Sequence, residues 1–129
     1  MKIKYKIGYI MNCKKVVVNG VKDVAVETYE INENELSPTE CIIENLVTYI
    51  SPGTELSRVF GLKKGASYPM QPGYCCVGRV IKAGSAVTEV AVGDIVYHDG
   101  PHASHRVFDY SNYIEAPTKL KPETKYEEE

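Results

Sequence analysis

The sequence predicts a mainly β fold, a partly open β-barrel with short helices. The run from Gly78 to Val96 spaces its glycines and valines as strands and turns of a small barrel require, and it is the strongest of three observations. Asn19-Gly20 separates two β-rich segments, which is a hairpin signal. The stretch Glu40 to Ile50 is rich in β-branched and apolar residues, as a long strand is.

In chain order, Lys15 to Val18 and Val24 to Tyr29 form the arms of the opening hairpin, with Asn19-Gly20 as its tight turn because both residues tolerate positive φ. Asn32 to Thr39 is polar, and Ser37-Pro38 blocks regular structure. Glu40 to Ile50 follows as a strand, which Asn45 interrupts at a bulge. From Thr54 to Leu62 the apolar positions Leu56, Val59 and Phe60 take helical spacing, with Thr54 placed to cap the start and Gly61 to end it. Tyr68 to Gly73 is an extended approach to strands that run from Tyr74 to Tyr97. Within them Val80 and Val96 belong to strands, Gly84 and Gly93 supply turn conformations that a β-carbon would strain, and Val87 and Val92 plug the barrel. After the break at Asp99-Gly100-Pro101, Ser104 to Asp109 and Tyr113 to Glu115 read as closing strands. The segment 118–129 is a charged tail with too little apolar surface to fold alone.

A chain of 129 residues is about one domain and can bury a core without staples. Its 15 basic and 17 acidic side chains nearly cancel, to a net charge of -2, so the composition carries no electrostatic footprint for nucleic acid or an anionic membrane. The start MKIKYKIGYI lacks the apolar core and small-residue site of an export signal, and no stretch approaches the roughly 18 apolar residues of a membrane span. A cytoplasmic location is the expectation. Cys13, Cys41, Cys75 and Cys76 have no C-x-x-C spacing and read as reduced thiols packed like small hydrophobes.

The Gly78–Val96 run, Gly53-Thr54-Glu55-Leu56 and Pro72-Gly73-Tyr74 occur in the order and spacing of a known pattern. The chain resembles the N-terminal, GroES-like catalytic domain of the medium-chain alcohol dehydrogenase/reductase superfamily, over 1–117. Gly-Thr-Glu-Leu is similar to that family's Gly-Thr-Asp-Leu, and Pro-Gly-Tyr to its Pro-Gly-His. The resemblance implies an oxidoreductase acting on a small-molecule substrate with NAD or NADP. The nicotinamide would be held by a Rossmann domain that this sequence does not contain, since it has no G-x-G-x-x-G. The tail at 118–129 resembles the start of the linker to such a domain. This implies a fragment that is inactive alone and could self-associate through the surface the other domain would cover. The competing reading is a stand-alone binding or interaction module without catalysis.

In zinc-dependent members a cysteine before Gly-Thr-Asp and the histidine of Pro-Gly-His ligate the metal. Ser51-Pro52 and Tyr74 stand at those positions here, and the four-cysteine lobe of the structural zinc is missing, so the resemblance implies the zinc-independent branch. Thr54 matches the position whose hydroxyl bonds the reacting oxygen, though a helix cap would equally account for it. Ser57 falls where some members relay a proton, and a surface serine is its plain alternative. Tyr74 either donates its phenol to a carbonyl oxygen or fills the space vacated by zinc. Ser51, Glu55 and His102 complete the candidate substrate pocket. Glu55 could instead serve as first-turn charge, and His98, His102 and His105 could be packed or solvent-facing rather than ligands.

Overall fold

The computed structural model describes residues 9–62 and 64–121. The fold is mainly β, built from two antiparallel sheets that do not close into a barrel. Strands β1 (Ile10–Gly20) and β2 (Asp23–Asn32) form a two-stranded ribbon. The second sheet has five strands in the order β6-β3-β4-β5-β7, comprising β3 (Glu40–Thr48), β4 (Cys76–Ala83), β5 (Ile95–His98), β6 (His105–Asp109) and β7 (Thr118–Lys119). One α-helix, α1 (Pro52–Val59), and a 3-10 turn at Glu33–Glu35 are the helical elements among the described residues. No described helix is long and apolar enough to cross a membrane.

The inner face of the larger sheet carries the main core, where Cys41, Ile43, Val80, Val90, Val96 and Phe108 pack together. On the other face the ribbon covers one end of the sheet through Cys13, Ile31 and Ile42. The second edge of β1 is tied down by two loops: Val18 pairs with Met70, and Val16 N–H donates to His102 O at 3.0 Å. That contact brings the 98–104 loop against the ribbon.

Several expectations shift. The hairpin turn is Val21-Lys22 rather than Asn19-Gly20, because the register slips after Val18 and the tip is pinned to α1 by Lys22 N–H donating to Val59 O at 2.6 Å. Val80 and Val96 are fully buried and Val87 packs against the core, but Val92 is 64% exposed, and Val90 occupies the interior instead. Gly93 does adopt positive φ, at +98°. Gly84 does not; it is needed because a β-carbon there would come within 2.3 Å of Pro38 O. The segment 113–115 is a loop rather than a strand, with Tyr113 against Phe108 and Tyr110, and the closing strand is Thr118–Lys119 paired with β5. These two residues belong to the expected tail, whose remainder, 122–129, lies outside the described residues, as do residues 1–8 of the opening segment.

Candidate functional site

The end of β3, the start of α1, the Pro72–Cys75 loop and the His98–Ser104 loop converge on His102. Tyr49 N–H donates to Cys75 O and His102 N–H to Pro72 O, both at 2.8 Å, which joins three of these segments through backbone. Gly73 has φ +108°, and a β-carbon on it would lie 2.6 Å from His102 N, so only glycine lets this loop press against the imidazole.

His102 is buried, with Nδ1 2.8 Å from Thr48 Oγ1 and Nε2 in a very short contact with Glu55 Oε1. The carboxylate can only accept, so Nε2–H donates to it. Glu55 is buried too, and its Oε2 accepts from Ser51 N–H. Glu55 is therefore the link between the helix start and the imidazole rather than an exposed first-turn charge.

The helix begins one turn earlier than its periodicity suggests. Ser51 is the N-cap residue and Pro52 the first helical one, a place that suits a residue without N–H, so Thr54 is not the cap. Thr54 is exposed, and its carbonyl accepts from Ser57 Oγ–H at 2.7 Å. Tyr74 is 44% exposed beside Gly73. Thus Ser51, Glu55 and His102 form one hydrogen-bonded network, whereas the hydroxyls of Thr54 and Ser57 and the phenol of Tyr74 are not part of it.

Thr48, not singled out from the sequence, completes the network. With Lys14, Val16, Val26, His102 and Ser104 it lines a shallow cleft of ≈ 210 Å³ between the ribbon and the loop.

His98 lies nearby in a different setting. Its Nδ1 accepts from Gly100 N–H at 3.2 Å and from Arg106 Nη1 at 3.1 Å, while Nε2–H donates to Asn45 Oδ1 at 2.6 Å. Burial, reinforced by the Arg106 charge and opposed by Asp99, pushes its pKa down to about 4. Asn45 marks the expected irregularity in β3, and its amide also donates to Ala103 O at 2.8 Å.

Burial raises the Cys41 and Cys76 thiols to about 11, so they are protonated at neutral pH. Among the described residues no group of three or more His, Cys, Asp or Glu side chains could hold a metal ion. At the positions corresponding to family zinc ligands, Ser51 offers a neutral hydroxyl that makes no capping hydrogen bond and Tyr74 a half-exposed phenol, a donor set that does not fit zinc.

The described residues have the fold of the N-terminal region of medium-chain dehydrogenases and reductases, and the resemblance read from the motifs is borne out. No family model matches the chain. It is 31% identical over 93 residues to 2-desacetyl-2-hydroxyethyl bacteriochlorophyllide A dehydrogenase of Cereibacter sphaeroides, a match covering 70% of this chain and 28% of that protein. Its structure resembles a mutant form of enoyl thioester reductase from Candida tropicalis, with TM-score 0.69, 21% identity, and coverage of 86% of this chain and 34% of that one. A further structure of that reductase holds NADP and crotonyl-CoA. Quinone oxidoreductase of Pseudomonas syringae pv. Tomato DC3000 matches with TM-score 0.63 and 20% identity, over 88% of this chain and 35% of that one. The chain thus spans roughly a third or less of the length of these relatives.

Proposed function

We propose that this chain is the substrate-side domain of a zinc-independent, NAD(P)-dependent oxidoreductase, working with a Rossmann domain that binds the nicotinamide. The observation that carries this reading is the convergence of the Gly-Thr-Glu-Leu and Pro-Gly-Tyr segments around one buried polar network, within a fold matched over 86% of the chain by the enoyl thioester reductase. The nicotinamide supplies or accepts a hydride; this chain's part is to orient the substrate and manage the proton. Thr54 and Tyr74 offer exposed hydroxyl groups at the rim, and Ser51 and Glu55 fix the helix start that carries Thr54. Zinc-independence is supported by the donor set at Ser51 and Tyr74, which leaves substrate activation to hydrogen bonds. Met1 to Pro117 is the proposed domain unit, acting in the cytoplasm.

A second reading, a binding module without catalysis, draws on the bare outer face of the sheet, where Val47 (58%), Tyr49 (58%) and Tyr97 (41%) are exposed in a row next to Val77. Such a face suits a second domain or a second copy equally. Calorimetric titration of the 129-residue chain with NADPH separates the readings when paired with an assay of the chain joined to a nicotinamide-binding domain. The oxidoreductase reading expects no micromolar binding by the chain alone and NADPH oxidation by the joined protein. Tight binding by the chain alone, or a joined protein that binds NADPH but reduces no carbonyl, enoyl or quinone compound, would contradict it.

A further inference from the structure

We propose that the pocket between the C-terminal end of α1 and the 64–70 loop binds an organic phosphate monoester, at a site separate from the network of Ser51, Glu55 and His102. The pocket has a volume of ≈ 220 Å³ and is lined by Arg58, Lys64, Gly65, Ala66, Ser67 and Met70. Two cations share one concavity. Neither pairs with a carboxylate among the described residues, and Arg58 is half-buried, so its charge is drawn partly out of water with no counter-ion from the fold.

A basic residue in the last turn of a helix ordinarily complements the carbonyl end, and Arg58 stands in that turn. Here other groups do that work. Leu56 O accepts from Phe60 N–H, Ser57 O from Leu62 N–H, Val59 O from Lys22 N–H of the hairpin tip, and Arg58 O from both Gly61 N–H and the Tyr68 hydroxyl. The guanidinium is therefore left to the pocket. The loop opposite is tied down: Tyr68 Oη–H reaches Arg58 O at 2.5 Å, Met70 and Val18 exchange both backbone hydrogen bonds, and Gly65 turns the chain at φ +83°, which a side chain would strain. Walls already in place spare an incoming ligand the cost of ordering them.

The lining specifies the ligand. A guanidinium fork and an ammonium together match a dianion better than a single carboxylate, and the Ser67 hydroxyl can donate to a further anionic oxygen. Ala66 and Met70 form an apolar wall, and the volume exceeds what a bare phosphate ion fills, so the phosphate arrives on an organic group.

Amide ¹H–¹⁵N spectra of the 129-residue chain, titrated with phenyl phosphate, inorganic phosphate and benzoate, test the assignment. Phenyl phosphate should shift the Gly65, Ala66 and Ser67 amides saturably and bind at least about fivefold more tightly than either competitor. Arg58→Gln should weaken it about tenfold, Arg58→Lys should recover only part of that loss, and Lys64→Gln should weaken it about threefold. Spectra away from the pocket should stay those of the wild type. If Arg58→Gln does not fold, Lys64→Gln and Ser67→Ala, both at exposed positions, carry the same comparison. Shifts absent from these amides, a competitor binding as tightly as phenyl phosphate, or folded variants that bind it as the wild type does would overturn the site. None of these outcomes bears on the oxidoreductase reading, which the NADPH titration tests.

Discussion

His98 ends β5 and His102 lies four residues on in the loop that follows, and both are buried, at 2% and 9% exposure. Every polar contact of the His98 ring belongs to the frame: Asn45 at the β3 bulge, the Gly100 amide and Arg106, which also pairs with Asp99 at 2.9 Å. His102 instead spans from a buried carboxylate to a hydroxyl on a cleft. Burial alone therefore does not assign a histidine's work. The neighbours do: donors and a cation around Nδ1 lock His98 neutral, whereas His102 joins a buried carboxylate at one ring nitrogen to a hydroxyl at the other.

The largest effect is expected on the structural side of this contrast. His98→Ala would leave Asn45 Oδ1 and Gly100 N–H without their partners inside the fold, at a cost of about 3–4 kcal/mol in denaturant unfolding. A loss under about 1 kcal/mol would break the distinction. Next comes acid titration. With its pKa lowered from 6.5 to about 4, His98 is neutral in the folded state where the unfolded chain binds a proton. Its contribution is thus complete above about pH 6.5 and falls as the pH drops toward 4, by roughly 3 kcal/mol in all. As the pH drops from 7 to 4 the wild type should lose its stability advantage over His98→Gln, so that their unfolding curves converge in that window.

Glu55→Gln is expected to cost less, about 1–2 kcal/mol, because the amide oxygen can still accept from either Ser51 N–H or His102 Nε2–H. Thermal unfolding of the pair Glu55→Gln and Glu55→Ala measures how much of the site's rigidity passes through this side chain. The smallest effect is at Val92. Val92→Thr should stay within about 0.5 kcal/mol of wild type, while Val96→Thr, at a fully buried position, should cost at least about 1.5 kcal/mol.

That last pair also marks what the sequence could disclose. Strands were legible wherever β-branched residues recur, as at Val80 and Val96, since the pleat converts alternation directly into burial. Val92 was not, because the positive φ of Gly93 shapes a turn that leaves Val92 outside and sends Val90 inward. Thr54 had the chemistry of a cap, but Ser51-Pro52 starts the helix earlier, since proline needs no partner for a missing N–H. Ser51, Glu55 and His102 could be named one by one from motif position. Their connection could not, for it depends on Gly73 admitting the imidazole and on Thr48, 54 residues away in sequence from His102 and carrying no motif of its own.

The direct test of this account is to measure kcat and Tm side by side for His98→Gln and His102→Gln in the chain joined to a nicotinamide-binding domain. The two histidines should separate: His98→Gln lowers Tm and leaves the kcat of the folded fraction near wild type, while His102→Gln lowers kcat about 100-fold at whatever Tm it retains. If His98→Gln abolished turnover in folded protein and His102→Gln left kcat and its pH profile unchanged, the assignment of frame and site would be contradicted.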